Sequence, residues 1–226
     1  YPIGKDTDGN LCTTEELHKI ILDLVLEFDR ICRKNDIPYA LGFGSALGCY
    51  NYSGFIPWDD DADIVIRYED INRIVEACKN DLNPKFVLEC YENNKKYNVL
   101  IPTMKLRLKD SYIKEASELT LPPRCGSHGF FIDICAFMGV PEERKEHEKL
   151  IKKSKRMMPW YCFVDGILRI HPYGMKKKLK AFEKEVAEKY KDSPFVSQTV
   201  IIPFQNWSDT VVNLSWPREV IFPFKE

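Results

Sequence analysis

Residues 54–66 read GFIPWDDDADIVI, and the types and spacing of these residues suit metal chemistry. In an extended strand, residues two apart project the same way and lie about 6.5–7 Å apart. Asp61 and Asp63 therefore share a face and can reach one divalent cation, and Asp59 joins them if the strand begins that early. Magnesium prefers carboxylate and phosphate oxygens, and Mn2+ accepts the same donors, so the pair suits a metal-bound nucleotide. The common fate of an acidic run is a solvated turn, and three features weigh against it here. The carboxylates sit on an apolar strand, three or four packed like charges repel unless a cation neutralises them, and another carboxylate stands in apolar surroundings elsewhere. That carboxylate is Asp133, in HGFFIDICAF, flanked by Phe131, Ile132, Ile134 and Cys135. An Asp buried unpaired among such residues is costly, so Asp133 is expected as a third ligand from a neighbouring strand. The run from Asp59 to Asp70 imitates an EF-hand loop, but Ile64 occupies the position that needs Gly and no helix leads into it.

Upstream, Gly44-Ser45 is read as a turn between a strand and a short helix. Small residues there let backbone N–H groups and the Ser45 hydroxyl approach a phosphate beside a helix N-terminus. Most Gly-Ser turns are only turns; the value of this one is its place about sixteen residues before the Asp-x-Asp strand. Trp58 is read as packing beside Pro57, with stacking on a nucleobase or a quaternary ammonium as the less common alternative. His128 is read as structural, with general-base catalysis as the weaker alternative.

The elements that must position these residues follow from periodicity. Thr13 and Glu16 form a capping box ahead of Leu17, Ile20, Ile21, Leu24, Val25, Phe28, Ile31 and Cys32, an amphipathic helix that Asn35-Asp36 and Pro38 end. A strand is expected over Tyr39 to Phe43, then the Gly44-Ser45 turn and a short helix to Tyr52. From Asp61 to Ile66 the chain alternates: Ala62, Ile64 and Ile66 share the core face, and Asp61, Asp63 and Val65 share the other, with the acids directed away from the core. A helix over Glu69 to Leu82 follows, then strands near 86–91, 99–109, 111–115 and 129–137. Beyond residue 141 come basic helical segments at 142–158 and 174–191 and a Pro-rich aromatic tail. The expected fold is α+β: a mixed sheet flanked by helices over residues 1–140, and a helical and aromatic C-terminal subdomain over 141–226.

The 33 Lys and Arg nearly balance the 34 Asp and Glu, so nucleic acid is not an expected partner. No run approaches the length that spans a bilayer. The basic stretches Lys149 to Arg156 and Lys176 to Lys180 read as solvated helix faces, with peripheral membrane contact as the second reading. The chain opens at Tyr1 with no signal-like apolar run, as a trimmed piece of a longer protein would. The eight cysteines show no CxxC pair and are expected as reduced thiols. Of the N-x-S/T sequons at Asn51, Asn206 and Asn213, the first falls beside the acidic motif, where a glycan would obstruct substrate.

Taken together, GFGSALGCYNYSGFIPWDDDADI resembles the LicD family, whose eukaryotic relatives include fukutin and fukutin-related protein. The resemblance runs from about residue 15 to 137. It takes in LVLEFDRICRKNDI, the strand MKLRLKD with Lys105 and Arg107 at the family's basic positions, and HGFFIDI with Asp133 in place of the third acid. The tail WPREVIFPFKE resembles the start of the family's C-terminal motif. Asn51 and Tyr52 stand where the family usually carries an Arg-His pair, which puts two phosphate-facing cations in doubt; Lys105, Arg107 or Arg124 are the candidates to compensate.

The resemblance implies a nucleotidyltransferase-like fold and Mg2+-dependent (or Mn2+-dependent) transfer of a phospho-alcohol. The implied donor is a CDP-alcohol, and the implied acceptor is a glycan hydroxyl of a cell-surface or lipid-linked polysaccharide. On this reading Asp61, Asp63 and Asp133 are catalytic and hold metal with Asp59, while Gly44, Ser45, Trp58, Lys105 and Arg107 bind the donor. The rival readings are transfer of the nucleotide itself, or a non-catalytic nucleotide- or glycan-binding relative. The cytoplasm, with membrane association, is the expected compartment; relatives of the eukaryotic branch act in the Golgi lumen.

Overall fold

The computed structural model describes residues 4–97, 99, 103–113, 127–168, 170, 173–198 and 215–222. Arg124, Cys125, Asn206, Asn213 and the end of the tail motif lie outside the described residues, as do parts of the strands expected near 99–109 and 111–115. Two compact units are present: one holds the described residues up to 113 with 127–135, the other those from 136 onward.

In chain order the first unit contains β1 (Gly4–Lys5), β2 (Leu11–Cys12), α1 (Thr14–Lys34), β3 (Tyr39–Leu41), α2 (Phe43–Tyr52), β4 (Asp63–Arg67), α3 (Ile71–Asp81), β5 (Phe86–Cys90), β6 (Met104–Leu108), β7 (Tyr112–Ile113) and the first half of β8 (Phe131–Gly139). The Thr13 capping box closes as expected: the Glu16 amide donates to the Thr13 hydroxyl, and the Glu16 carboxylate accepts from the Thr13 amide at 2.8 Å. Leu17, Ile21, Leu24, Phe28, Ile31 and Cys32 then bury one face of α1. α3 buries Ile71, Ile74, Ala77 and Cys78, and a 3-10 turn over Tyr68–Asp70 precedes it where the sequence predicts helix.

The strands of this unit lie in the order β3, β4, β8, β6, β5. β3 pairs antiparallel with β4, β6 with β5, and the first half of β8 with β6. Long-range pairing sets which residues meet: Lys105 faces Glu89 on one side and Asp133 on the other. β3 ends at Leu41, shorter than the expected strand, because Phe43 takes φ +42 and opens α2. Gly44 and Ser45 accordingly lie in the first turn of α2, not in a turn before it. Among the described residues β1, β2 and β7 form a separate small sheet.

The second unit contains the rest of β8, α4 (Arg144–Cys162), a π-helical turn (Phe163–Ile167), α5 (Tyr173–Lys189), β9 (Phe195–Ser197), β10 (Trp216–Pro217) and α6 (Arg218–Ile221). β9 pairs antiparallel with the end of β8 and with β10. Phe137 packs edge-on against Trp216 and Phe222. Seven strands hydrogen-bond in the mixed sheet, which is α+β as the sequence predicts. The described cysteines are free thiols, also as expected. No helix among the described residues is long and apolar enough to cross a membrane.

Candidate metal centre

β4 and the two residues before it deliver the acids; the strand begins at Asp63, two residues later than the alternation from Asp61 suggested. Ala62, Ile64 and Ile66 are buried, and this anchors the strand with Asp61 and Asp63 on the opposite face, each half-buried. The Asp133 amide donates to the Ala62 carbonyl at 2.8 Å, which brings β8 alongside. One carboxylate oxygen from each of Asp61, Asp63 and Asp133 then lies within 4.8 Å of the others. Asp59, Asp60 and Asp61 form a second such group at the edge, with Asp60 exposed.

Crowding shows in the acidities. Burial, then the Asp133, Asp59 and Asp60 carboxylates, push Asp61 up to about 6. Burial, then the Asp61, Asp133 and Asp59 carboxylates, push Asp63 up to about 7. In both cases the nearby Lys105 ammonium works the other way. Both groups thus hold protons to higher pH than an isolated Asp does, and a cation that displaces those protons relieves the repulsion.

The loop before the acids is fastened at both ends. The Asp63 amide donates to the Ser45 hydroxyl at 2.8 Å, and the Gly42 amide donates to the Asp63 carbonyl at 2.9 Å. His18 on α1 places Nε2 2.8 Å from the Asp59 carbonyl and stacks its ring on Phe55 at 4.5 Å. A Cβ at Gly48 would stand 2.7 Å from the Gly54 carbonyl, so only glycine lets this loop cross α2. A Cβ at Gly44 would meet the Asp59 carboxylate at 3.0 Å. Trp58 is 75% exposed and touches the Tyr52 ring edge-on at 5.9 Å, so it is not the packing residue the sequence suggested.

Residues 36–114 match the family model described as LicD/FKTN/FKRP, nucleotidyltransferase domain. Over those residues the chain is similar to LicD-family domains. Over 151 residues it is also 27% identical to the lipopolysaccharide cholinephosphotransferase LicD of Haemophilus influenzae, which covers 64% of this chain and 52% of the relative. The chain therefore spans about half the length of the curated relative it matches.

The matched residues contain Gly44, Ser45, Trp58, Asp59, Asp61 and Asp63, while His18 on α1 and Asp133 on β8 lie outside residues 36–114. Three partly buried carboxylates make a hard donor set, and that set fits Mg2+ or Mn2+ better than a thiol- or imidazole-seeking metal. The two basic residues of the LicD strand sit differently from their expected place opposite phosphate. Lys105 is almost wholly buried, with Nζ 2.8 Å from Asp133 Oδ1 and 3.4 Å from the centre of the Phe131 ring. Arg107 has no exposed surface; it donates to the Gly129 carbonyl at 3.0 Å and lies 3.6 Å from Glu89. Guanidinium this deep, beside its own carboxylate, is structural support and does not face incoming phosphate.

Glu89 and His18 are the participants that sequence reading missed. Glu89 carries the same signal that exposed Asp133, a lone carboxylate in an apolar strand (FVLEC), and it accepts from the Ser127 amide at 3.1 Å. His18 offers no comparable signal, since a polar residue in an amphipathic helix reads as solvent-facing. His128 is exposed, and its carbonyl accepts from the Ile113 amide.

Proposed function

We propose that this chain is the core of a metal-dependent transferase that moves a phospho-alcohol, phosphocholine or a near analogue, from a CDP-linked donor to a glycan hydroxyl. The observation that supports this most is the convergence of Asp61, Asp63 and Asp133 in a fold carrying a LicD-type domain. Bound Mg2+ or Mn2+ supplies charge neutralisation and Lewis acidity at the diphosphate. Asp61, Asp63 and Asp133 hold the ion, Asp59 assists from the edge, and Lys105 orients Asp133 through their 2.8 Å pair. Gly44 and Ser45 sit in the first turn of α2, where unpaired backbone N–H groups suit a phosphate. Tyr52 and Trp58 offer exposed aromatic rings to the donor's base or to a quaternary ammonium.

The reaction is an in-line displacement. The glycan oxygen bonds to the phosphorus bearing the alcohol, the bond from that phosphorus to the bridging oxygen breaks, and CMP leaves. The hydroxyl proton goes to a carboxylate, for which Asp133 is the candidate. Positioning and charge neutralisation carry such a step. The acceptor is a cell-surface or lipid-linked polysaccharide; the Haemophilus relative is named for lipopolysaccharide.

The likeness of residues 36–114 to a nucleotidyltransferase domain favours a second reading, attack at the other phosphorus. That reaction releases the phospho-alcohol in place of CMP, so the small product distinguishes the two. Asn51 and Tyr52 favour a third, binding without turnover, which predicts release of neither.

The test is thermal unfolding with CDP-choline, CDP-ribitol, CTP and ATP, with and without Mg2+, on wild type and Asp63→Ala. A ligand at a hundred times its dissociation constant stabilises by about 2.7 kcal/mol. Magnesium-dependent stabilisation by a CDP-alcohol, lost in Asp63→Ala, is the expected result. No response to any nucleotide in wild type with metal present would sink the transferase reading.

A further inference from the structure

We propose that the end of α4 and the π-helical turn after it form a docking surface for an anionic phospholipid bilayer. Trp160 is 61% exposed, Phe163 39%, Ile167 71%, Leu168 46% and Ile170 60%. Five large apolar side chains thus reach solvent within eleven residues, although α4 buries His147, Ile151, Ser154, Met158 and Tyr161 in the usual way. The π-helical turn, Phe163–Ile167, creates the patch. Its wider hydrogen-bonding ring shifts the register of the residues after it, and Ile167, Leu168 and Ile170 are exposed in the same short stretch as Trp160 and Phe163 while Asp165 stays buried. Trp160 and Phe163 stack at 5.6 Å and present one flat aromatic edge. Large apolar side chains exposed this close together in sequence mark an interaction site.

Charge selects the occupant. From Lys149 to Lys178 the sequence has nine Lys and Arg against one acid, Asp165, in a chain of net charge −1. Lys152 and Arg156 precede Trp160 by eight and four residues, which puts them on the same helix face, and both are exposed. Lys177 and Lys178 add exposed charge at the start of α5. Apolar and aromatic side chains set within basic ones match the two layers of a bilayer interface: acyl boundary for the first, anionic headgroups for the second. The surface lies wholly within the second unit and uses no residue of the metal centre.

The test is flotation of the full chain with phosphatidylcholine vesicles, with and without phosphatidylglycerol. Wild type is compared with Ile167→Ser/Ile170→Ser and with Lys152→Glu/Arg156→Glu. All four positions are exposed, and unchanged thermal unfolding verifies that each variant is folded. Wild type is expected to float with phosphatidylglycerol vesicles at about 0.1 M salt and to release as salt screens the headgroups. Each variant is expected to partition at least about tenfold more weakly. Failure of wild type to float overturns the proposal, as does undiminished flotation of the Ile167→Ser/Ile170→Ser variant. Self-association of wild type that these serines abolish, without vesicle binding, overturns it in favour of a second copy of the chain.

Discussion

Asp63→Asn removes one charge from three carboxylates whose oxygens lie within 4.8 Å of one another, and the metal-free protein should become more stable for it. The Asp63 carboxyl is raised from the ordinary 3.8 to about 7, so its ionised form is the disfavoured one in the folded state. At 1.36 kcal/mol per pH unit, holding it ionised at pH 8 costs at most about 4 kcal/mol. Partial exposure to solvent screens the repulsion, and Asp61 and Asp133 share it, so about 1–2 kcal/mol is the expected gain from the substitution. For a chain of this size that is a rise in Tm of roughly 3–6 °C. The sign follows from linkage: the folded state keeps its proton between pH 4 and 7 while the unfolded state has lost it. Wild-type stability therefore falls as pH rises through that window and levels off above about 7. Asn carries no such proton, so the variant lacks this slope and converges with wild type near pH 4. The assay is thermal unfolding in EDTA at pH 4.5, 6 and 8, repeated with Mg2+ or Mn2+. With metal the order should reverse, because wild type gains stability and the variant does not. A metal-free variant less stable than wild type at pH 8, or one with the same pH slope, would refute the reasoning.

Two further perturbations read other parts of the site. Glu89→Ala removes the carboxylate 3.6 Å from the buried Arg107 guanidinium and should cost about 3–5 kcal/mol by chemical denaturation, with Glu89→Gln costing less; equal losses in both would show that charge is not the issue. Trp58→Ala should change stability by no more than about 0.5 kcal/mol, since the ring is 75% exposed. Its affinity for CDP-choline, by calorimetry, should fall about tenfold if the ring contacts the donor, and unchanged affinity would remove Trp58 from the site.

Local features were legible in the sequence because they are set by neighbours along the chain. The capping box and apolar period of α1, and the alternation that puts Asp61 and Asp63 opposite Ala62, Ile64 and Ile66, are of this kind. Each rests on interactions spanning at most a few residues; the capping box closes as read, whereas β4 begins only at Asp63 and buries Val65 on the acids' own face. Asp133 was found by a different argument, the cost of an unpaired carboxylate among apolar residues, which names a residue in need of a partner without naming the partner.

What tertiary structure alone decided is who that partner is. Registers between strands distant in sequence bring Asp133 beside Ala62 and Lys105, and pair Lys105 with Glu89. These pairings follow from packing whole segments together, and no local pattern reports them. The same holds for depth. Lys105 and Arg107 read as cations that offset the donor's charge and are buried, while Trp58 reads as packing and is exposed. A side chain's environment is set by everything folded around it, so charge and spacing along the chain specified the chemistry available to this protein, and sheet register specified which groups can perform it together.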